Sequence, residues 1–225
     1  MNRGILLAGN ESSLSVAITA ETSKRVEQFA TAFIPNRLSN SIGDKIFPAE
    51  PMIPLVWNPG SPVSARALIL AAENRLERIH EAIIICAPPS LRKSPNDLSS
   101  SEIEIMINDH IKGWFYLVKE LIAIFKLRQI GTLALVHSEI ENGKEETSDV
   151  LAPPASSAFR AFAQNILSIS QNETFQVMGF SAPSTSDNAA FAAFIFKTME
   201  ERSKQNNGKW HKFAKPSKLR LPFGR

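Results

Sequence analysis

The sequence predicts a doubly wound α/β domain, with a mainly parallel sheet flanked by helices on both faces, and three observations predict it. Residues 4–9 (GILLAG), 53–57 (IPLVW) and 82–87 (AIIICA) are apolar from end to end and stop at glycine, proline or polar clusters. Strands buried on both faces read this way, and burial of both faces is the mark of a parallel sheet. Helical and strand patterns then alternate along the chain, which calls for right-handed crossovers. Finally, 225 residues with 44% hydrophobic content suffice for one sizeable core. A single domain is expected over residues 1–208, followed by a basic tail over 209–225.

Taken in order, residues 4–9 form the first strand, which stops at Gly9-Asn10-Glu11-Ser12-Ser13. The segment from 13 to 51 admits two readings. One is a crossover helix over 14–33 with a short strand near 33–37; the other is a strand over 15–19 (SVAIT) with a helix over 22–33. The first is preferred, because a parallel partner for the first strand needs a crossover of roughly a dozen residues. The run 53–57 is the next strand, and residues 64–79 carry Ala67, Leu68, Leu70, Ala71, Leu76 and Ile79 at helical spacing. After the strand 82–87, Ser99, Ser100, Ser101 and Glu102 supply capping residues for a long helix reaching about 127. Its apolar side is broad, with Ile103, Ile107, Ile111, Trp114, Phe115, Val118, Leu121, Ile122 and Phe125. Gly131 ends it. Residues 132–136 (TLALV) are strand, 156–168 helix, 175–180 strand and 189–202 helix.

Composition narrows the function classes. Formal net charge is +3 and the pI about 9.1, but cations are scattered until Lys209, Lys212, Lys215, Lys218, Arg220 and Arg225 of the tail. Charge therefore does not indicate nucleic acid, and the tail is expected to lie over its own domain or a dimer mate. A single cysteine, Cys86, excludes an intrachain disulfide and favours a reducing compartment, so a cytoplasmic protein is expected. His80, His110, His137 and His211 show no ligand spacing, and no metal is expected. No run approaches the ~20 apolar residues that span a bilayer, and residues 1–8 are too brief a run for a secretory segment.

The order of strand, glycine turn and helix, then a strand ending in Ala-Pro, a long helix with an internal Asn, a strand ending in Ser and a helix behind it, resembles the short-chain dehydrogenase/reductase family. The resemblance runs from Arg3 to about Trp210 and implies a Rossmann-like fold that binds NAD(P) or a nucleotide-like small molecule. The family's opening turn is Thr-Gly-x-x-x-Gly-x-Gly. Here Ala8-Gly9 keeps the first glycine, while Ser13 and Ser15 stand at the other two. Its Asn-Asn-Ala-Gly run becomes Ile85-Cys86-Ala87-Pro88, with Ala87 kept, and its Asp before an apolar residue, which holds adenine, becomes Trp57-Asn58. The implied cofactor contacts are therefore Gly9, Ser13, Ser15, Trp57, Asn58 and Ala87. The family's catalytic asparagine matches Asn108 and its catalytic serine Ser138. Its Tyr-x-x-x-Lys falls on Ala152 and Ser156.

That departure decides the chemistry. The chain has one tyrosine, Tyr116, followed four positions later by Glu120, so no Tyr-x-x-x-Lys occurs anywhere. In the family, the resemblance implies, the tyrosine exchanges a proton with the substrate oxygen while the lysine lowers its pKa and holds the nicotinamide ribose. An alanine has no proton to give, and a serine hydroxyl titrates far too high to substitute; such acid–base help is worth ~10²–10⁴ in rate. Two functional readings follow. One is a non-catalytic dehydrogenase-like protein that binds a ligand or accompanies an active relative. The other is an NAD(P)-dependent oxidoreductase with weak, unconventional chemistry resting on Ser138 and Asn108. The missing pair favours the first.

Individual residues carry a sharp and a plain reading. Ser138 and Asn108 are either a surviving half-site or remnants that bridge strand and helix ends. Trp57 either fills the adenine pocket or belongs to the core, the second being favoured. His137 and Ser138 are neighbours on a strand and point to opposite faces. His110 lies about 200° around an ideal helix from Asn108. A histidine replacement for the tyrosine is therefore not expected, and Cys86 reads as core. The helices at 101–127 and 156–168 carry more apolar surface than one sheet face needs, and the resemblance implies a dimer interface built from them.

Overall fold

The strands form where the apolar runs leave no polar face to expose. In β1 (Ile5–Asn10) and β4 (Glu81–Cys86) every residue is buried. Side chains alternate between two layers. Leu6, Ala8, Ile84 and Leu135 enter one cluster, whereas Ile5, Leu7, Ile83 and Val136 enter the other. This computed structural model describes residues 3–38, 51–140, 149–201 and 204–213. With β2 (Phe29–Ile34), β3 (Met52–Pro54), β5 (Thr132–Glu139), β6 (Gln176–Pro183) and β7 (Lys209–Lys212), the sheet has seven strands in the order β3-β2-β1-β4-β5-β6-β7. All of its pairings are parallel.

The helices are α1 (Ser13–Ser23), α2 (Pro62–Leu76), α3 (Ser100–Ile107), α4 (Gly113–Arg128), α5 (Ala152–Ile169) and α6 (Asn188–Glu200). Helices α2, α4 and α5 cover the first face through residues such as Leu68, Leu121 and Phe159. Helices α1 and α6 cover the second through Leu14, Ile18, Phe191 and Phe196. This is the doubly wound, Rossmann-like arrangement that the sequence predicts. Starts and stops are local. Ser12, Ser61 and Asp187 cap α1, α2 and α6, while Ser99 and Glu102 form a reciprocal capping box at α3. At the amino ends of β1 and β4, Arg3 holds the buried Glu81 carboxylate through two 2.7 Å hydrogen bonds, so a charge in the sheet is paired.

Several boundaries differ from expectation, each for a physical reason. Between β1 and β2 neither reading of 13–51 holds as stated: the helix ends at Ser23 and FATAFI (29–34) is strand. Thr22 hydrogen-bonds Ile18 O within the last turn, and the next residues turn into a strand buried at five of its six positions. Residues 39–50 lie outside the described residues. The strand expected over 53–57 is only Met52–Pro54. Val56 is 96% exposed and Trp57 turns inward, so the pattern of a buried strand breaks there. Helix α2 spans Pro62–Leu76 in place of 64–79, stopping at Glu77 with φ 60°. The long helix runs from Ser100 to Arg128 but contains a π turn, Asn108–Lys112. Helix α5 begins at Ala152, one turn before the expected 156, because Pro153 and Pro154 occupy its first turn, where a missing N–H costs nothing. The segment assigned to the tail enters the sheet as β7, and Trp210 lies over Gly179 of β6 and donates to Ser181 Oγ at 2.9 Å. Lys215, Lys218, Arg220 and Arg225 lie outside the described residues.

Gly9 has a packing reason of its own. A Cβ there would sit 2.7 Å from the Ile85 carbonyl oxygen and 2.9 Å from Ile85 Cβ, both in the neighbouring strand. Gly9→Ala is expected to lower unfolding stability by about 1–3 kcal/mol, read by chemical denaturation, because β1 and β4 must separate to admit it.

Candidate functional site

In an open parallel sheet, ligands bind beyond the carboxyl ends of the strands, where the strand order reverses. Here the reversal lies between β1 and β4. Asn10, the last residue of β1, ties the two strand ends together: its side chain donates to the Ala87 carbonyl and accepts from Ala87 N–H at 3.1 Å. Ala87 thus stands at the crevice as expected, and its backbone is already paired. Asn10 was not singled out from the sequence; its place directly after Gly9 at the strand end was the available signal.

Side chains hold part of the first turn of α1. Ser12 Oγ accepts from Ser15 N at 3.1 Å, and the fully buried Ser15 donates its hydroxyl to Asn10 O at 2.6 Å. Ser15 therefore packs inward, holding the turn. Ser13 is exposed, and its Oγ accepts from Asn188 Nδ2 at 3.0 Å, linking α1 to α6. Trp57 is 8% exposed, donates to Ala32 O at 3.2 Å and lies 6.3 Å from the Trp114 ring. It belongs to the core beneath the β3 end. Asn58 is exposed and closes its own turn, accepting from Gly60 N at 3.0 Å and donating its backbone N–H to Ser64 Oγ at 2.8 Å.

Asn108 opens the π turn, and its Oδ1 accepts from Lys112 Nζ at 3.0 Å. The extra residue of that turn carries Asp109 and His110 inward together, and both are at most 3% exposed. Asp109 is bound by Arg37 through three contacts, Nε at 3.0 Å and Nη2 at 2.5 and 2.7 Å. No sequence signal announces this pair across 72 positions. Ser138 pairs in register with Ala182, whose side chain belongs to the α1–α6 layer. Strand alternation puts Ser138 on that side, whereas Asn108 lies on the α4 side.

The positions expected to lack tyrosine and lysine are enclosed. Ala152 is 1% exposed and packs with Leu38, Met106 and Ala155. Ser156 Oγ lies 2.6 Å from His137 Nε2, a contact that ties α5 to β5. His137 Nδ1 is buried without a partner. Of the two neutral tautomers, the one protonated at Nε2 donates to Ser156 and orphans only an acceptor, so it is the stable form. In that form the imidazole cannot accept the serine proton, and the pair is not a nucleophile and base. Burial also pushes the Cys86 thiol far up, the Trp114 indole acting in the opposite sense, and keeps it protonated.

No protein-family model matches the chain, and no curated protein matches it in sequence. Solved structures do match in fold. Serine dehydrogenase from Escherichia coli superposes with a TM-score of 0.72 at 11% identity, covering 93% of this chain and 96% of that one. ElxO with NADP bound gives 0.72 at 9% identity, covering 94% and 97%. A short-chain dehydrogenase/reductase family oxidoreductase from Aeromonas hydrophila subsp. hydrophila gives 0.73 at 14% identity, covering 95% and 100%. The likeness establishes that nearly the whole chain shares the Rossmann-like α/β fold of these proteins. Among the described residues, no helix is long and apolar enough to cross a membrane, and no group of three or more His, Cys, Asp or Glu residues could hold a metal.

Burial lowers both His137 and His110 to about 4, with the Arg37 charge adding to the effect at His110. In the unfolded chain they titrate near the ordinary 6.5. Between these values the unfolded state binds more protons, so stability falls as pH drops from 6.5 towards 4 and levels below it. Denaturation at a series of pH values should show this loss. His137→Gln should shrink it by an amount on the order of 3 kcal/mol or less.

Proposed function

We propose that this chain is a nucleotide-binding protein of dehydrogenase-like fold that acts by binding, as a ligand sensor or beside an active relative, and not by hydride transfer. One observation carries the reading: the places where the resemblance puts a phenol and an ammonium hold a buried methyl group, Ala152, and a hydroxyl committed to His137. Carbonyl reduction needs a proton donor within hydrogen-bond reach of the substrate oxygen. The chain's single phenol, Tyr116, lies on α4, partly buried against the α2–α4–α5 core. The alternative, an oxidoreductase of weak activity, would have to rest on Ser138 and Asn108, which lie towards opposite faces of the sheet. NADP bound to ElxO makes NADP(H) the ligand class to try first.

The test is a titration of the purified chain with NADPH and NADH, followed by thermal shift and by NADPH absorbance with a panel of carbonyl compounds. Saturable binding without carbonyl-dependent loss of NADPH is expected; at 100 times Kd the ligand adds about 2.7 kcal/mol of stability. Sustained turnover would overturn the reading.

The same reading includes a homodimer through the α3–α4 helix and α5. Ile103 and Ile107 of α3 and Phe115 of α4 are 38, 40 and 48% exposed, and the Phe115 ring lies 4.2 Å from that of Phe162 of α5, tilted by 34°. These side chains make an apolar surface on the side of the helices away from the sheet, of the kind that associating proteins cover. Light scattering should return the mass of two chains for the native protein and of one for Phe115→Glu.

A further inference from the structure

Residues 35–38 leave β2 and run across the carboxyl edge of the sheet. Arg37 reaches Asp109 in the π turn, and Leu38, 9% exposed, clusters with Met106 of α3 and with Ala152 and Ala155 of α5. Helix α5 packs behind β5 and β6, and β1 and β4 stand between β2 and β5. The segment that leaves β2 thus joins a cluster that includes the helix behind β5 and β6, on the other side of the β1–β4 crevice, and within it the Leu38 N–H donates to Asn36 Oδ1 at 3.1 Å. The two alanines, each at most 1% exposed, leave the room that Leu38 uses; a ring at position 152 would compete for it.

The ends of this segment are held by unlike forces. Asp109 has a side chain only 1% exposed, whereas that of Arg37 is 48% exposed. The carboxylate depends on the guanidinium for its burial, while the guanidinium reaches water without it. The Leu38 side chain is held by apolar packing, and its N–H by Asn36 Oδ1.

We propose that residues 35–38 are a strap, latched by Arg37 on Asp109 and seated by Leu38, which closes the β1–β4 crevice and must lift for a nucleotide to lie along it. The proposal rests on the nucleotide-binding reading and adds to it that the free protein occupies its own site. A closed majority lowers apparent affinity by the fraction that is open, so loosening the strap should tighten binding.

NADPH fluorescence titration of the full chain, alongside Asp109→Ala and Leu38→Ala, tests this. Asp109→Ala leaves no buried charge behind, and Leu38→Ala keeps the ion pair, so that one variant serves if the other does not fold. Either should bind NADPH roughly tenfold more tightly than the native chain, as expected if the strap is closed in about nine molecules of ten. Hydrogen exchange at residues 36–38 should speed up in the variants, and in the native chain on adding NADPH. Equal affinity in all forms would overturn the strap and leave the nucleotide reading intact. Faster exchange in the variants with no NADPH bound by any form would sink both.

Discussion

Burying both faces of a sheet leaves only its strand ends to meet a ligand, and the rest of this structure follows from that constraint. The strands satisfy their backbone groups sideways, and the helices consume the faces. Chemistry is therefore confined to the row of loops at one edge. What fills that row decides what the fold can do. Here side chains along that row bind one another: Asn10 joins two strand ends, Ser15 turns inward to Asn10, and Leu38 and Ala152 share one apolar cluster.

The layers were legible because their signals are local. GILLAG, AIIICA and TLALV are too uniformly apolar for any place but a two-sided core, and the serines before α3 announce its capping box. Legibility failed where one pattern mimics another. FATAFI follows a helix without a glycine or proline between them, so its strand was absorbed into the helix. Pro153 and Pro154 suggest a break but begin α5. The π turn at Asn108 leaves no mark in composition, though it changes which residues after it face inward.

At the site, the sequence yields identities but not contacts. That Ala152 and Ser156 stand where the resemblance expects a phenol and an ammonium is a reading of the sequence alone, in which Tyr116 is the single tyrosine. That Ser156 meets His137, and that Arg37 meets Asp109, depends on chain segments brought together by the fold, across 19 and 72 positions.

The contact between His137 and Ser156 has a consequence for the history open to this protein. A lysine at 156 would press an ammonium against an imidazole that has no other partner, and a tyrosine at 152 would meet Leu38 and Met106. Acquiring a proton-transfer couple there would thus require coordinated change at several positions at once, each single step costing stability before any activity appeared. Folding itself works against such a change, since the incoming side chains would have to take space that structural contacts occupy.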